Sequence, residues 1–150
     1  MTTDLTYILQ QLQDHDVKPS SQRIAIAKYV MEHRCHPSVD DVYNGLKEQY
    51  PTLSRTTVYN TLALLTDHGV LQEITIDSER VRYDANLDPH AHGQCVKCGR
   101  IFDYPLSAGM IAECCKVQDF RVDNVMLYLK GTCKKCLEGD NTTSDNEEEQ

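Results

Sequence analysis

Two short cysteine pairs, Cys95-x-x-Cys98 and Cys133-x-x-Cys136, constrain this chain more than any other feature. Each pair can close on one metal ion from a single turn. Four thiolates in a tetrahedron suit Zn²⁺ and leave no open coordination position. Such a site contributes roughly 10 kcal/mol or more of folding free energy. It would pin a late strand to an earlier hairpin and so decide the layout of the C-terminal third. The competing readings are a pair of redox dithiols or plain buried cysteines. Of the seven cysteines, Cys35, Cys114 and Cys115 lack ligand spacing and read as small core or surface residues.

The compartment bears on that choice. The N-terminus, MTTDLTYILQQLQDHD, has neither the basic start nor the apolar centre of a signal peptide. No run of about 18 apolar residues exists, so no membrane span is expected. A cytoplasmic protein is the default expectation, and there paired cysteines point to metal or redox chemistry more than to disulfides. With 150 residues, 40% hydrophobic content and no Trp, the chain fits one ordinary domain or two small ones with a modest aliphatic core.

The net charge of −8 argues against nucleic acid only on average. Residues 138–150, EGDNTTSDNEEEQ, hold six acids and no Lys or Arg, and without them 17 acids face 15 bases. That segment is expected to be a disordered acidic tail. Residues 1–80 still carry 11 acids against 7 bases, so a DNA-binding surface there must gather its positive charge locally.

The first half is helical in pattern. Leu5, Ile8, Leu9 and Leu12 mark one helix face, and Ile24, Ala27, Val30 and Met31 mark a second behind Ser20 and Ser21. Ser38 and Asp41 form a capping-box pattern for a third helix, expected to run to about Tyr50 before Pro51. A fourth starts near Ser54, with Val58, Leu62 and Leu65 as its buried stripe and Gly69 as its stop. LQEITI, a short turn DSE and RVRYD then read as a hairpin. Helices followed by a two-stranded hairpin give the order of a winged helix-turn-helix, with a generic helical domain as the alternative. Residues 85–92 read as a hinge or linker. Beyond it, strands flank the first cysteine pair, a short helix is expected over 107–117, and VMLYLKG is a strand leading into the second pair. The whole is an α+β chain ending in a small α/β unit that needs a staple.

His90 and His92 are two residues apart, so on an extended segment both point to one side. Asp84 ends the hairpin and Asp103 ends the strand after the first cysteine pair. Nitrogen and carboxylate ligands together suit Fe²⁺, Mn²⁺ or Zn²⁺ at a site distinct from the sulfur site. Alternatively, such histidines are solvated and such aspartates cap turns.

Together these residues resemble the ferric uptake regulator family of bacterial metal-dependent repressors. The carriers are SQR at 21–23, HPSVDDVY at 36–43, SRTTVYNTLALLTDHGVL at 54–71, RYD at 82–84, HAH at 90–92 and the two cysteine pairs. The resemblance spans about residues 5–137, and within the family it is nearest to the peroxide-responsive repressors. It implies an N-terminal winged helix-turn-helix DNA-binding domain (1–84), the hinge (85–92), a small α/β dimerisation domain with a four-cysteine zinc site (93–137) and the tail (138–150). It also implies a regulatory Fe²⁺ or Mn²⁺ held by His36, Asp84, His90, His92 and Asp103. Asp at 103, where iron-uptake members tend to carry Glu, goes with peroxide reactivity, as does TVYN at 57–60. DNV at 123–125 stands where a further His often occurs, so no third metal site is expected.

The function so implied is a homodimeric repressor that binds a palindromic operator in double-stranded DNA. Peroxide would be read through iron-catalysed oxidation of His36 and His90, which releases the operator and switches oxidative-stress and metal-homeostasis genes. No enzyme activity, membrane or other small-molecule substrate is expected. Tyr59 and Asn60 are the candidates for base contacts, Arg55 and Thr57 for phosphate or base contacts, and Lys18 and Arg23 for phosphates. Core packing is the alternative for Tyr59, and a solvated helix end for Arg55. At the level of function, the alternatives are a reversible iron- or zinc-uptake regulator without peroxide sensing, a small iron enzyme, or a zinc-stabilised interaction protein that never touches DNA.

Overall fold

The computed structural model describes residues 3–144, with side chains to residue 139. The chain forms two compact units, the first ending at Leu87 and the second beginning at Asp88.

In the first unit, four helices are set by their caps. α1 (Leu5–Asp14) is capped by Asp4, α2 (Ser21–Glu32) by Ser20, α3 (Val39–Leu46) by Ser38 and α4 (Arg55–Asp67) by Ser54. Each cap side chain accepts a backbone N–H that the first turn leaves without a helical partner. At α3 the capping box is complete, because Asp41 also accepts the Ser38 N–H at 2.9 Å. α3 stops at Leu46, short of the expected Tyr50. The residues beyond it form a turn in which the Tyr50 N–H donates to the Leu46 carbonyl at 2.9 Å, and Pro51 follows. Gly69, at φ +78°, ends the α4 region in the left-handed conformation that glycine adopts without a Cβ penalty.

The helices bury one aliphatic cluster that includes Ile8, Leu12, Ile26, Val30, Val42, Val58, Leu62 and Leu65. β1 (Gln72–Ile74) and β2 (Arg82–Asp84) pair antiparallel, with Gln72 opposite Asp84 and Ile74 opposite Arg82. Tyr83 of β2 enters the same core, and burial pushes its phenol up to about 12. This is a winged helix-turn-helix. The wing's connection spans residues 75–81, longer than the three-residue turn expected, because Asp77 builds a turn of its own by accepting the Glu79 N–H at 2.9 Å.

The second unit is a three-stranded sheet in the order β4-β3-β5. β3 (His90–Cys95) lies antiparallel to β4 (Ile101–Pro105) and parallel to β5 (Leu127–Gly131), and α5 (Ala108–Cys114) lies on the connection between β4 and β5. β3 begins at His90, so three residues assigned from sequence to the hinge are strand, paired to β4 from His90 and to β5 from Ala91. At Gly93 a Cβ would sit 2.6 Å from the Tyr104 ring, so a larger residue there would have to displace that side chain. α6 (Lys134–Ser144) follows the second cysteine pair. Residues 138–144 are therefore helical and not the disordered tail expected, the first turn being supported by Lys134 against Glu138 at 3.9 Å. The rest of the acidic segment, 145–150, lies outside the described residues. The unit buries little. α5 has no buried residue, while Phe120 is 68% and Leu137 51% exposed.

Candidate metal centres and nucleic-acid interface

The sulfur site grows from the ends of β3 and β5. The Gly99 N–H donates to the Cys95 carbonyl and the Cys95 N–H to the Arg100 carbonyl, folding 95–100 into a tight turn with Gly99 at φ +73°. Cys133 follows β5 after Thr132, and Cys136 lies in the first turn of α6. The Sγ atoms of Cys95, Cys98, Cys133 and Cys136 all lie within 4.8 Å of one another, and Cys98 and Cys133 are 3.8 Å apart. Four sulfurs about 2.3 Å from one Zn²⁺ would be spaced by about 3.8 Å, so the donor set fits that ion in type and spacing. The Cys133 N–H donates to the Cys95 sulfur at 3.3 Å. That contact leads the effects that bring the Cys95 thiol down to about 6. The Cys133 side chain, hydrogen-bonded to Cys136, leads those that push the Cys136 thiol up to about 12. Cys35, Cys114 and Cys115 are exposed and take no part.

Two of the His/Asp residues, His36 and Asp84, belong to the first unit, and His90, His92 and Asp103 belong to the second. In the first unit, β2 runs beside the segment ahead of α3. The Tyr83 N–H donates to the Pro37 carbonyl at 3.0 Å, and Arg82 reaches the His36 carbonyl at 3.2 Å while its guanidinium also meets Asp77 at 3.1 Å. His36 is buried at φ +57°, ahead of a proline, where an extended backbone is the ordinary choice. Its Nε2 is 3.6 Å from Asp84 Oδ2, and the other Asp84 oxygen accepts the Asn86 N–H at 2.9 Å.

In the second unit, strand alternation puts His90 and His92 on one side of β3, and the register sets His92 opposite Asp103. Both Nε2 atoms face the same Asp103 oxygen, His90 at 3.6 Å and His92 at 3.5 Å. A carbonyl only accepts, so His90 Nδ1, at 2.5 Å from the Asp88 carbonyl, carries a proton, and in the neutral ring Nε2 is then the atom that can ligate. Separations of 3.5–3.6 Å are long for a hydrogen bond. They are close to the roughly 3.4 Å edge of a tetrahedron whose ligands sit about 2.1 Å from a metal. Both groups thus fit a hard or borderline cation bound through N and O.

The expected DNA-contacting residues divide differently. Lys18, Arg23, Thr57 and Asn60 line one pocket of about 450 Å³ between the start of α2 and α4, shared with Gln22 and Thr61. Arg23 is held there by a 2.8 Å bond to the Lys18 carbonyl. Tyr59 lies outside the pocket and is 58% exposed, so it is a surface residue and does not pack in the core. Arg55 is also apart: its Nε meets Asp40 Oδ1 at 2.9 Å and its guanidinium carbon lies 4.7 Å from the centre of the Tyr43 ring. Asp40 and Tyr43 escaped the sequence reading because 15 and 12 positions separate them from Arg55, beyond any local pattern. Arg82 escaped it because its role runs through a backbone carbonyl.

A winged helix-turn-helix followed by a small sheet with four converging cysteines defines a class of metal-binding transcription regulators. The model of the ferric uptake regulator family matches residues 14–130. This chain is 33% identical over 140 residues to the peroxide-responsive repressor PerR of Staphylococcus epidermidis, covering 92% of this chain and 93% of that protein. It is 31% identical over 140 residues to the peroxide operon regulator of Bacillus subtilis, covering 92% and 97%. A solved ferric uptake regulator from Francisella tularensis with iron superimposes with a TM-score of 0.66 at 30% identity, over 80% of this chain and 94% of that one. The chain belongs to the ferric uptake regulator family. Regulators of this family bind DNA and work as dimers. No helix among the described residues is long and apolar enough to cross a membrane.

Proposed function

We propose that this protein is a metal-dependent transcriptional repressor that senses hydrogen peroxide. Cys95, Cys98, Cys133 and Cys136 hold a structural Zn²⁺. His36, Asp84, His90, His92 and Asp103 hold one regulatory Fe²⁺ or Mn²⁺. The observation that carries this reading is the pair of Nε2 atoms of His90 and His92 facing one Asp103 oxygen, matched by the buried His36–Asp84 pair. The relatives named for peroxide response support the signal.

The residues divide the work. Asp84 and Asp103 supply negative charge that favours a divalent ion over protons at the neighbouring imidazoles. His90 is set for ligation by its bond to the Asp88 carbonyl, and His36 by the clamp of Arg82 and Pro37 on its backbone. Ferrous iron, when bound, supplies the one-electron reduction of peroxide that Mn²⁺ does not. His36 and His90 are the side chains that gain oxygen, and an oxygenated imidazole is a poorer ligand. The ligands named come from both units of the chain, so metal loading would be thermodynamically linked to DNA binding. Two protomers, joined through the exposed apolar side chains of the second unit, then offer two α4 helices to a palindromic operator. Lys18, Arg23, Thr57 and Asn60 are the contacts from the pocket, with Tyr59 and Arg55 beside it. The relatives named as bacterial repressors and regulators support a cytoplasmic place of action.

The test is DNA retention by the zinc-loaded protein. Mn²⁺ and Fe²⁺ should each confer binding to a selected palindromic duplex, and peroxide should abolish it for the Fe²⁺ form alone. Binding that needs metal but ignores peroxide in both forms would mark a reversible metal-uptake regulator instead.

A further inference from the structure

We propose that Asp40 is a specificity-determining positioning residue of the DNA-reading surface, acting through Arg55. The inference rests on the DNA-binding reading above and extends it to a residue on the helix before the recognition helix. Arg55 is the first residue of α4, behind its cap Ser54. Asp40 and Tyr43 stand three positions apart on α3, hence on one face. The carboxylate takes Nε at 2.9 Å, and the Tyr43 ring lies under the guanidinium at 4.7 Å.

An exposed ion pair adds little to stability, and the side chains here are 59% and 61% exposed. What the arrangement does supply is orientation. Guanidinium carries its donors in a fixed planar fork. With Nε committed and one face covered, the two Nη nitrogens make no hydrogen bond among the described residues and present their edge outward. That edge matches a paired acceptor on DNA, either two phosphate oxygens or the O6/N7 edge of guanine. Asp40 therefore has two opposed effects. It fixes Arg55 for the right acceptor, and its own charge repels the phosphate backbone everywhere else. Both effects sharpen discrimination in a unit with few positive charges.

The opposed effects give the proposal a signature that a structural role lacks. Full-length protein with zinc and Mn²⁺ is used to select a duplex from a random-sequence pool. Affinities are then measured for that duplex and a scrambled one of equal composition. Asp40→Ala should weaken binding to the selected duplex by roughly fivefold or more, the low end of what a bidentate contact is worth. It should leave scrambled binding unchanged or tighter. Arg55→Ala should weaken the selected duplex as well, and the double variant should be no weaker than Arg55→Ala alone. A salt slope reduced by about one in Arg55→Ala assigns the acceptor to phosphate. An unchanged slope with relaxed preference at one base assigns it to guanine. Equal tightening of both duplexes by Asp40→Ala, or losses that multiply in the double variant, would overturn the role of Asp40. A wild-type protein that selects no sequence would instead overturn the DNA-binding reading beneath it.

Discussion

At the level of single residues, the proposed function gives each ligand type one task. Sulfur donors are spaced by turns and can be recognised from sequence, because Cys-x-x-Cys closes locally. Cys98→Ser should lose stoichiometric zinc and unfold the second unit, which has almost no apolar core to fall back on. Serine at Cys35, Cys114 or Cys115 should leave zinc content unchanged. Zinc analysis and a thermal melt of each variant check this, and full zinc retention by Cys98→Ser would refute the four-cysteine assignment. The His and Asp donors were legible only in part. His90 and His92 were readable as a same-side pair because strand alternation fixes them, and Asp103 falls opposite His92 through the β3–β4 register. His36 carries no such local signal. It is 48 positions from Asp84 in sequence, and only family resemblance singled it out.

Among the elements, caps and pairings place the ligands. Ser38 and Asp41 close the N-terminus of α3 directly after His36 and Pro37. Partial burial acts to raise the Asp41 carboxyl, but the Ser38 N–H and hydroxyl, with the charge of Arg82 and Arg80, outweigh it and bring it below the usual 3.8. A carboxyl depressed on folding stabilises the fold above its ordinary range and loses that contribution as pH falls through its folded value. Ser38→Ala should therefore cost about 1 kcal/mol at neutral pH. The gap between wild type and variant should narrow in strong acid, read from urea melts at both pH values. Arg82 makes a second link, from β2 and the wing loop to the His36 carbonyl. Arg82→Gln should lower regulatory-metal affinity about tenfold, the scale of lost outer-shell support, with zinc content unchanged. An unaltered Mn²⁺ titration would show that His36 holds its conformation without Arg82. Helix starts were legible because Ser caps announce them. The end of α3 and the length of the wing loop were not, since both depend on turns that compete with simple periodicity.

Over the whole molecule, acidic sequence and DNA binding are reconciled by location. The pocket between α2 and α4 gathers Lys18 and Arg23, whereas four acids fall in residues 145–150. Deleting 145–150 should raise affinity for scrambled DNA at low salt and have little effect near 0.3 M, where repulsion over more than about 6 Å is screened. Equal affinities at both salt concentrations would rule out a repulsive role for the tail. The separation of a sulfur donor set from a nitrogen and carboxylate set was legible from ligand chemistry. The helical course of 138–144 was not, because composition favours a solvated chain there and the helix instead grows from the Cys133–Cys136 turn.

The proposed function turns on the His/Asp set reading peroxide while the cysteines hold the fold. The decisive experiment loads the protein anaerobically with Fe²⁺, adds a small excess of H₂O₂ and measures peptide masses after digestion. One added oxygen is expected on the peptides holding His36 or His90, none when Mn²⁺ replaces Fe²⁺, with zinc retained throughout. Unmodified histidines with oxidised Cys95, Cys98, Cys133 or Cys136 and released zinc would reverse the assignment and make the sulfur site the sensor.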